Sequence, residues 1–218
     1  MKIGLAAESL GDLDALQRAF DLLVEKMGAT RLFFLGGRWG DVDDLVQCHR
    51  EVARGGAEYS DANFLADVAS FVEKSAEVQK GGVAHRLNKD ALESFASRFT
   101  RVPDKDCLQY RDPAVPRKLV DMIGDRLATL VHDKADLARE DIEPATFIFH
   151  GGCKAPAVVQ IGARYFITPG SLSGVLEPTC ALISQGDKGL EFIAFALDGR
   201  ELKRAPLSVA ARGNVTVR

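Results

Sequence analysis

The chain has 218 residues, of which 46% are hydrophobic and 27% charged, the balance of an ordinary soluble globular protein. This length predicts one domain with a substantial core. The formal net charge of −3, without a basic tail or block, argues against a nucleic-acid surface. A membrane span is also excluded, because no stretch approaches the roughly 20 apolar residues that such a helix needs.

The N-terminal sequence and the cysteines predict a cytoplasmic protein. Lys2 precedes a short apolar run that Glu8 interrupts, which is not the pattern of a secretory signal peptide. The cysteines are widely separated and form no Cys-x-x-Cys pair: Cys48, Cys107, Cys153 and Cys180. We therefore expect four reduced thiols.

The beginning of the chain predicts a strand, a helix and a second strand. Residues 2–7 and 31–35 are short apolar runs typical of buried strands. Between them, apolar residues recur at helical spacing over residues 13–27, with Asp12 placed to cap the helix and Gly28 to end it. This order predicts two parallel strands joined by a right-handed crossover.

Helices are predicted next. One covers residues 41–54, a second is capped by Ser60 or Asp61, and a third covers residues 89–99. The second carries an apolar face over residues 64–72. This part of the chain contains few strand signals.

The second half of the chain predicts β-hairpins. Each paired run flanks a short glycine-containing segment: residues 118–123 with 126–131, residues 158–161 with 164–168, and residues 180–184 with 190–197. Residues 146–149 form a further buried strand. The polar tail after Leu207 is expected to fray.

Two segments resemble calcineurin-like metallophosphoesterases, in the small bacterial phosphodiesterase-like class. Residues 1–16 resemble the first strand, the Asp-x-His-Gly-Asn turn and the first helix of that family, and residues 168–171 resemble its Asn-Pro-Gly-Ser turn. The resemblance implies a four-layer α-β-β-α sandwich formed by one domain, residues 1–218. Residues 39–101 are longer than the corresponding part of small family members, so we interpret them as a helical insert.

The family's metal ligands are mostly replaced at the corresponding positions. Active members hold two divalent ions that activate water and neutralise phosphate oxygens. Glu8 and Leu10 stand where the family has aspartate and histidine, and Gly37 stands where it has the bridging aspartate. A glycine supplies no ligand atom, so the loss at Gly37 is the most damaging.

The later motifs show the same replacements. Lys105 and Asp106 follow Asp104 at the third motif, where Lys105 replaces a metal-binding asparagine. Gly151 and Cys153 stand where the fifth motif has two histidines. His132 alone matches its family counterpart in type. We therefore expect no metal and no cofactor.

The resemblance with these replacements predicts a pseudoenzyme that acts as a protein-interaction scaffold or regulatory subunit. The retromer subunit of this fold is a family precedent. Neither the partner nor the oligomeric state is predicted. One alternative is an anion or nucleotide sensor that uses cations near the old cleft: Arg38, Lys105, His132, His150 and Lys154. Another is a residual phosphodiesterase with unorthodox ligands: Glu8, Asp106, His132, His150 and Cys153.

Overall fold

The computed structural model describes residues 1–45, 98–186 and 189–208. The strands in these residues are β1 (Lys2–Ala6), β2 (Arg31–Phe34), β3 (Phe99–Arg101), β4 (Lys118–Ile123), β5 (Arg126–Val131), β6 (Phe147–His150), β7 (Ala157–Ile161), β8 (Arg164–Thr168), β9 (Thr179–Gly186), β10 (Gly189–Ala196) and β11 (Glu201–Leu207). The helices are α1 (Leu13–Phe20), a π-helix (Asp21–Lys26), two 3₁₀ helices (Leu108–Arg111 and Lys134–Asp136) and a short α-helix (Arg139–Ile142).

The strands form two mixed sheets. The first has the order β11-β10-β9-β1-β2-β3, and the second has the order β4-β5-β6-β8-β7. β1 runs parallel to β2 and antiparallel to β9, while β6 runs parallel to both β5 and β8. The predicted parallel pair and all three predicted antiparallel pairs are confirmed.

The helix after β1 begins as predicted but changes its winding. The Asp12 side chain accepts a hydrogen bond from the Ala15 backbone N–H and so caps α1. A continuous α-helix to residue 27 is wrong, because Met27 N–H donates to the Leu22 carbonyl, the wider i to i−5 bond of a π-helix. Gly28, with φ of +72°, ends the helix.

The core lies between the two sheets. The strands alternate inward and outward side chains, and the inward faces supply buried residues such as Ile3, Phe33 and Phe147. Phe33 of the first sheet meets Phe149 of the second edge to face, with ring centroids 5.6 Å apart. The predicted two-sheet sandwich is thereby confirmed.

Two strands were not predicted. Residue 99 was expected to end a helix, but it belongs to β3. β11 was missed because most of its side chains are exposed and several are charged, which conceals the alternation of a strand. Residues 41–45 are helical as predicted, while the remainder of the predicted helices lies outside the described residues.

The chain divides into two compact units, Met1–Asp41 with Thr100–Arg218 and Val42–Phe99. The predicted insert, residues 39–101, overlaps the second unit, and its status as an elaboration of one domain stays a prediction. None of the described helices has the length and apolar composition of a membrane span.

We expect Phe149→Ala to lower the free energy of unfolding by about 3–5 kcal/mol, because it opens a cavity between the sheets where Phe149 is fully buried. Urea denaturation followed by circular dichroism measures the change. Val120→Ala is the control, since Val120 is 62% exposed on β4 and should change stability by less than about 0.5 kcal/mol. Equal effects of the two variants would contradict this account of the core.

Candidate functional site

The turn after β1 holds two non-glycine residues in the left-handed region of backbone space. Glu8 has φ of +57° and Leu10 has φ of +50°. Each such residue costs about 1–3 kcal/mol and persists only where surrounding contacts fix it. Glu8 N–H donates to the Gly36 carbonyl at 2.9 Å, and Ser173 N–H donates to the Glu8 carbonyl at 3.0 Å. The turn is therefore strained and held on both sides.

A buried carboxylate fixes the remainder of this turn. Asp41 Oδ2 accepts hydrogen bonds from Ser9 Oγ at 2.6 Å and from Gly11 N–H at 2.7 Å. Ser9 and Asp41 are both fully buried. Asp41 Oδ1 has no hydrogen-bond partner within the described residues, and the guanidinium of Arg38 lies 3.8 Å from it. This arrangement holds Leu10 at the surface, where it is 58% exposed.

The Glu8 side chain forms a direct hydrogen bond with the His132 side chain. Glu8 Oε1 lies 2.7 Å from His132 Nε2 and also accepts a hydrogen bond from Gly152 N–H at 2.8 Å. The two side chains are only 16% and 12% exposed. Glu8 follows β1 and His132 follows β5, so this contact joins the two sheets at the carboxyl ends of those strands.

The pKa values of both groups favour a charged pair. Burial alone would raise the pKa of Glu8, but the hydrogen bonds from His132 and Gly152 and the His132 charge hold it below 4.5. Burial alone would lower the pKa of His132, but the hydrogen bond and charge of Glu8, aided by Asp104 and Asp133, hold it above 6.5. The pair is therefore carboxylate and imidazolium at mildly acidic pH.

Three glycines allow these groups to approach one another. A Cβ atom on Gly36 would overlap the His132 ring, and one on Gly151 would overlap the Leu35 carbonyl oxygen. A Cβ atom on Gly37 would lie 2.9 Å from the Ser9 backbone nitrogen, and Gly37 has φ of +116°. A side chain at any of these three positions would therefore force neighbouring atoms to move.

Solved structures share this architecture at low sequence identity. The E. coli phosphoesterase YfcE matches with a TM-score of 0.57 and 15% identity over 95% of this chain and 100% of its own. Vps29 from Chaetomium thermophilum matches with a TM-score of 0.53 and 13% identity over 100% of both chains. A predicted phosphoesterase from Streptococcus pneumoniae matches with a TM-score of 0.52 and 14% identity over 94% and 96%. The chain has the metallophosphoesterase fold. No protein-family model and no curated protein matches it in sequence.

The metallophosphoesterase fold implies two metal ions, and the side chains in the described part of the chain do not form a site that fits them. A two-metal centre needs several oxygen or nitrogen ligands converging on adjacent ions. Across the described ranges, no three His, Cys, Asp or Glu side chains gather in a way that would hold a metal ion. Glu8 and His132 do lie together, but they form a hydrogen bond with each other.

The loop at the third predicted motif, residues 104–107, is held by hydrogen bonds within the loop. Asp104 Oδ1 accepts hydrogen bonds from the backbone N–H groups of Asp106 and Cys107 at 2.7 and 3.0 Å, so it stabilises its own loop. Lys105 Nζ lies 4.0 Å from Asp133 Oδ2, and the lysine side chain is 61% exposed. Lys105 thus lies beside Asp133, while the cationic side chain that contacts Glu8 is His132.

His150 and Cys153 face a different part of the molecule. Phe149 points into the core, so His150 points to the outer face of the second sheet. There His150 and Cys153 line a cavity of about 230 Å³ with Phe166, and Cys153 Sγ lies 4.0 Å from His150 Nδ1. Burial lowers the pKa of His150, which favours its neutral form. Lys154 lines a separate cavity of about 690 Å³.

The five predicted anion-binding cations do not converge. His132 is bonded to Glu8, Arg38 lies beside Asp41, and Lys105 lies beside Asp133. His150 and Lys154 line two other cavities. The arrangement places three of these cations beside carboxylates, which reduces the net charge that an anion would meet.

The structure adds residues that sequence reasoning did not assign to the site. Ser9 Oγ donates a buried hydrogen bond to Asp41, the first residue of a predicted helix. Gly36 makes room for the His132 ring, because a Cβ atom there would overlap it. The adjacent pair Gly36-Gly37 at the end of an apolar strand was the available signal of close backbone approach. The turn at residues 168–171 is buried, and Gly170 has φ of +83°.

We expect His132→Gln to lower the free energy of unfolding by about 1–3 kcal/mol between pH 4.5 and 6.5, where both charges are present. The raised pKa of His132 means that its contribution is complete below pH 6.5 and is lost as pH rises through the folded value. The lowered pKa of Glu8 means that its contribution is complete above pH 4.5 and is lost as pH falls through the folded value.

Urea denaturation of wild type and His132→Gln from pH 4 to 9 measures this difference. Comparing the two proteins removes most of the opposing effect of His150, whose lowered pKa comes mainly from burial and makes its protonation destabilising. The pairing would be refuted by a stability difference that stays constant across this range, or by an NMR titration that gives His132 a pKa of 6.5 or less.

We expect Gly37→Asp to destabilise the protein more than Gly189→Asp. The two glycines have nearly equal φ values of +116° and +119°, so both variants carry a backbone penalty of about 1–3 kcal/mol. The Cβ atom that Gly37→Asp introduces would in addition lie too close to the backbone of the turn after β1. At Gly189, no atom of the described residues lies within 4 Å of the corresponding Cβ position. Urea midpoints measure the difference, and equal losses would show that the turn does not pack against Gly37.

Proposed function

We propose that this chain is a non-catalytic protein of the metallophosphoesterase fold that acts by binding another protein. The observation that carries the proposal is the Glu8 carboxylate, which is committed to His132 and to the Gly152 N–H. A metal ion at Glu8 would have to displace both partners. The proposal includes a scaffold or regulatory role in the cytoplasm, without a metal or another cofactor.

The chemistry of phosphoester hydrolysis argues for the same conclusion. The reaction needs an activated water and positive charge that stabilises the phosphate oxygens in the transition state. The Glu8–His132 pair is neutral overall, and the Gly37 position has neither a ligand atom nor space for one. The paired state of Arg38 and Lys105 likewise disfavours an anion sensor.

The turn that replaces the first metal motif supports protein binding. Leu10 is 58% exposed on a backbone in a left-handed conformation, and the buried Ser9–Asp41 hydrogen bond holds it there. Strained backbone is commonly retained at functional positions. A rigid, exposed leucine loses little conformational entropy when it enters an apolar pocket of a partner. We therefore assign the contact to the Leu10 turn.

The experiment has a binding arm. Tagged wild type, Leu10→Asp and Leu176→Asp are used as baits in lysate of the source organism, with quantitative mass spectrometry of the captured proteins. Leu176 is a matched control because it is a fully exposed leucine outside the turn. We expect one or more proteins captured by wild type and Leu176→Asp to fall by at least about tenfold with Leu10→Asp. Equal capture by all three baits would contradict the assignment.

The experiment also has a catalytic arm. Purified protein is titrated with Mn²⁺ by calorimetry and assayed with bis-p-nitrophenyl phosphate. We expect no stoichiometric Mn²⁺ binding and no turnover above buffer. Stoichiometric binding together with turnover that His132→Gln abolishes would overturn the non-catalytic proposal.

A further inference from the structure

In residues 1–45, 98–186 and 189–208, the two sheets end in four edge strands, and the sequences of these strands differ in charge. Edge strands expose unpaired N–H and C=O groups, and proteins protect them with charged residues or proline. β11 carries Glu201, Lys203, Arg204 and Pro206, while β4 carries Lys118 and Asp121. β3 is three residues long and includes an arginine. β7, with the sequence Ala-Val-Val-Gln-Ile, has neither a charge nor a proline.

Among the described residues, no strand pairs with the outer side of β7, so backbone donors and acceptors are available there. Ile161 and Arg164 close the two-residue turn between β7 and β8, and Gly162 has φ of +61°, as the first position of a type II′ turn requires. This closing pair exchanges hydrogen bonds, and the bonding alternates along the strand. Val158 and Gln160 therefore direct their N–H and C=O groups away from β8.

The outward side chains of β7 are apolar. Val159 is 52% exposed and Ile161 is 60% exposed. Both residues line the cavity of about 230 Å³ that Phe166 also lines. The uncharged edge thus continues into an apolar face. An extended strand added to β7 would satisfy the backbone and cover these side chains together.

We propose that β7 pairs antiparallel with β7 of a second copy of this chain, with Val159 on the two-fold axis. This register places Val158 opposite Gln160 of the second copy and the reverse, giving two hydrogen-bonded pairs and about four backbone hydrogen bonds. Val159 faces Val159 of the second copy in a non-hydrogen-bonded pair, where side chains approach most closely.

The distribution of charge favours a second copy as the occupant. A two-fold axis brings each residue near its own equivalent, so a charged edge strand would place like charges together at a cost. β4 and β11 are charged, whereas β7 presents no charge to its equivalent. The joined sheets bury Val159 and Ile161 of both copies. This interface uses none of the Glu8–His132 site, and the proposed function does not depend on it.

The test is the mass of the protein in solution. Light scattering after size exclusion is measured for wild type, Val159→Lys and Val120→Lys from about 1 to 100 μM, a range that spans micromolar affinities. Val120 is the matched control, a valine 62% exposed on the opposite edge strand of the same sheet. We expect wild type and Val120→Lys to have twice the protomer mass of 23.6 kDa. Val159→Lys should raise the dissociation constant by at least tenfold.

A second variant tests the backbone part of the interface. Gln160→Pro removes one outward N–H without removing a bond to β8, and it should also weaken the dimer by at least tenfold. Circular dichroism checks that each variant is folded. The proposal would be overturned if the wild type were monomeric at the highest concentration. It would also be overturned if Val159→Lys dimerised with the same dissociation constant as the wild type. Loss of the dimer in Val120→Lys as well would place the interface elsewhere.

Discussion

The site depends on one charge-assisted hydrogen bond, between Glu8 Oε1 and His132 Nε2 at 2.7 Å. It connects the end of β1 in the first sheet to the end of β5 in the second. The surrounding backbone has closed around it, since Gly36 and Gly151 have no space for a Cβ atom. The result is a pair of opposite charges, without net charge, at the ends of β1 and β5. The hydrogen bond and the two glycines beside it belong to one packing arrangement.

The turn after β1 shows how the fold tolerates strain at this point. Glu8 and Leu10 occupy a backbone region that L-residues disfavour. The buried Asp41 carboxylate compensates by accepting hydrogen bonds from Ser9 and Gly11. Its Oδ1 atom and His132 Nδ1 have no hydrogen bonds among the described residues. The strain of the turn is therefore held by the Oδ2 contacts of Asp41 and by the backbone bonds of Glu8.

The edge strands differ in how well they are protected against pairing with another strand. β4 and β11 carry charges that oppose edge-to-edge pairing, while β7 carries none. β7 is also the strand beside the cavity that His150 and Cys153 line. These two residues were placed in the old metal cleft by sequence position, yet they lie on the outer face of the second sheet. The two proposed contacts, at Leu10 and at β7, use separate residues, so both can form on the same protomer.

The sequence by itself predicted nine of the eleven described strands. Hairpins were predictable because glycine-containing turns and alternating side chains are local signals. The replacement of metal ligands stays a prediction from the resemblance at individual positions. β11 escaped prediction because its charged, exposed side chains conceal the alternation. Only the tertiary structure decided that Glu8 meets His132, since 124 residues separate them. It also decided the direction of His150, because the pleat of β6 turns Phe149 inward and the next side chain outward. Contacts between distant residues and the facing of side chains at strand ends are set by packing, which local sequence does not record.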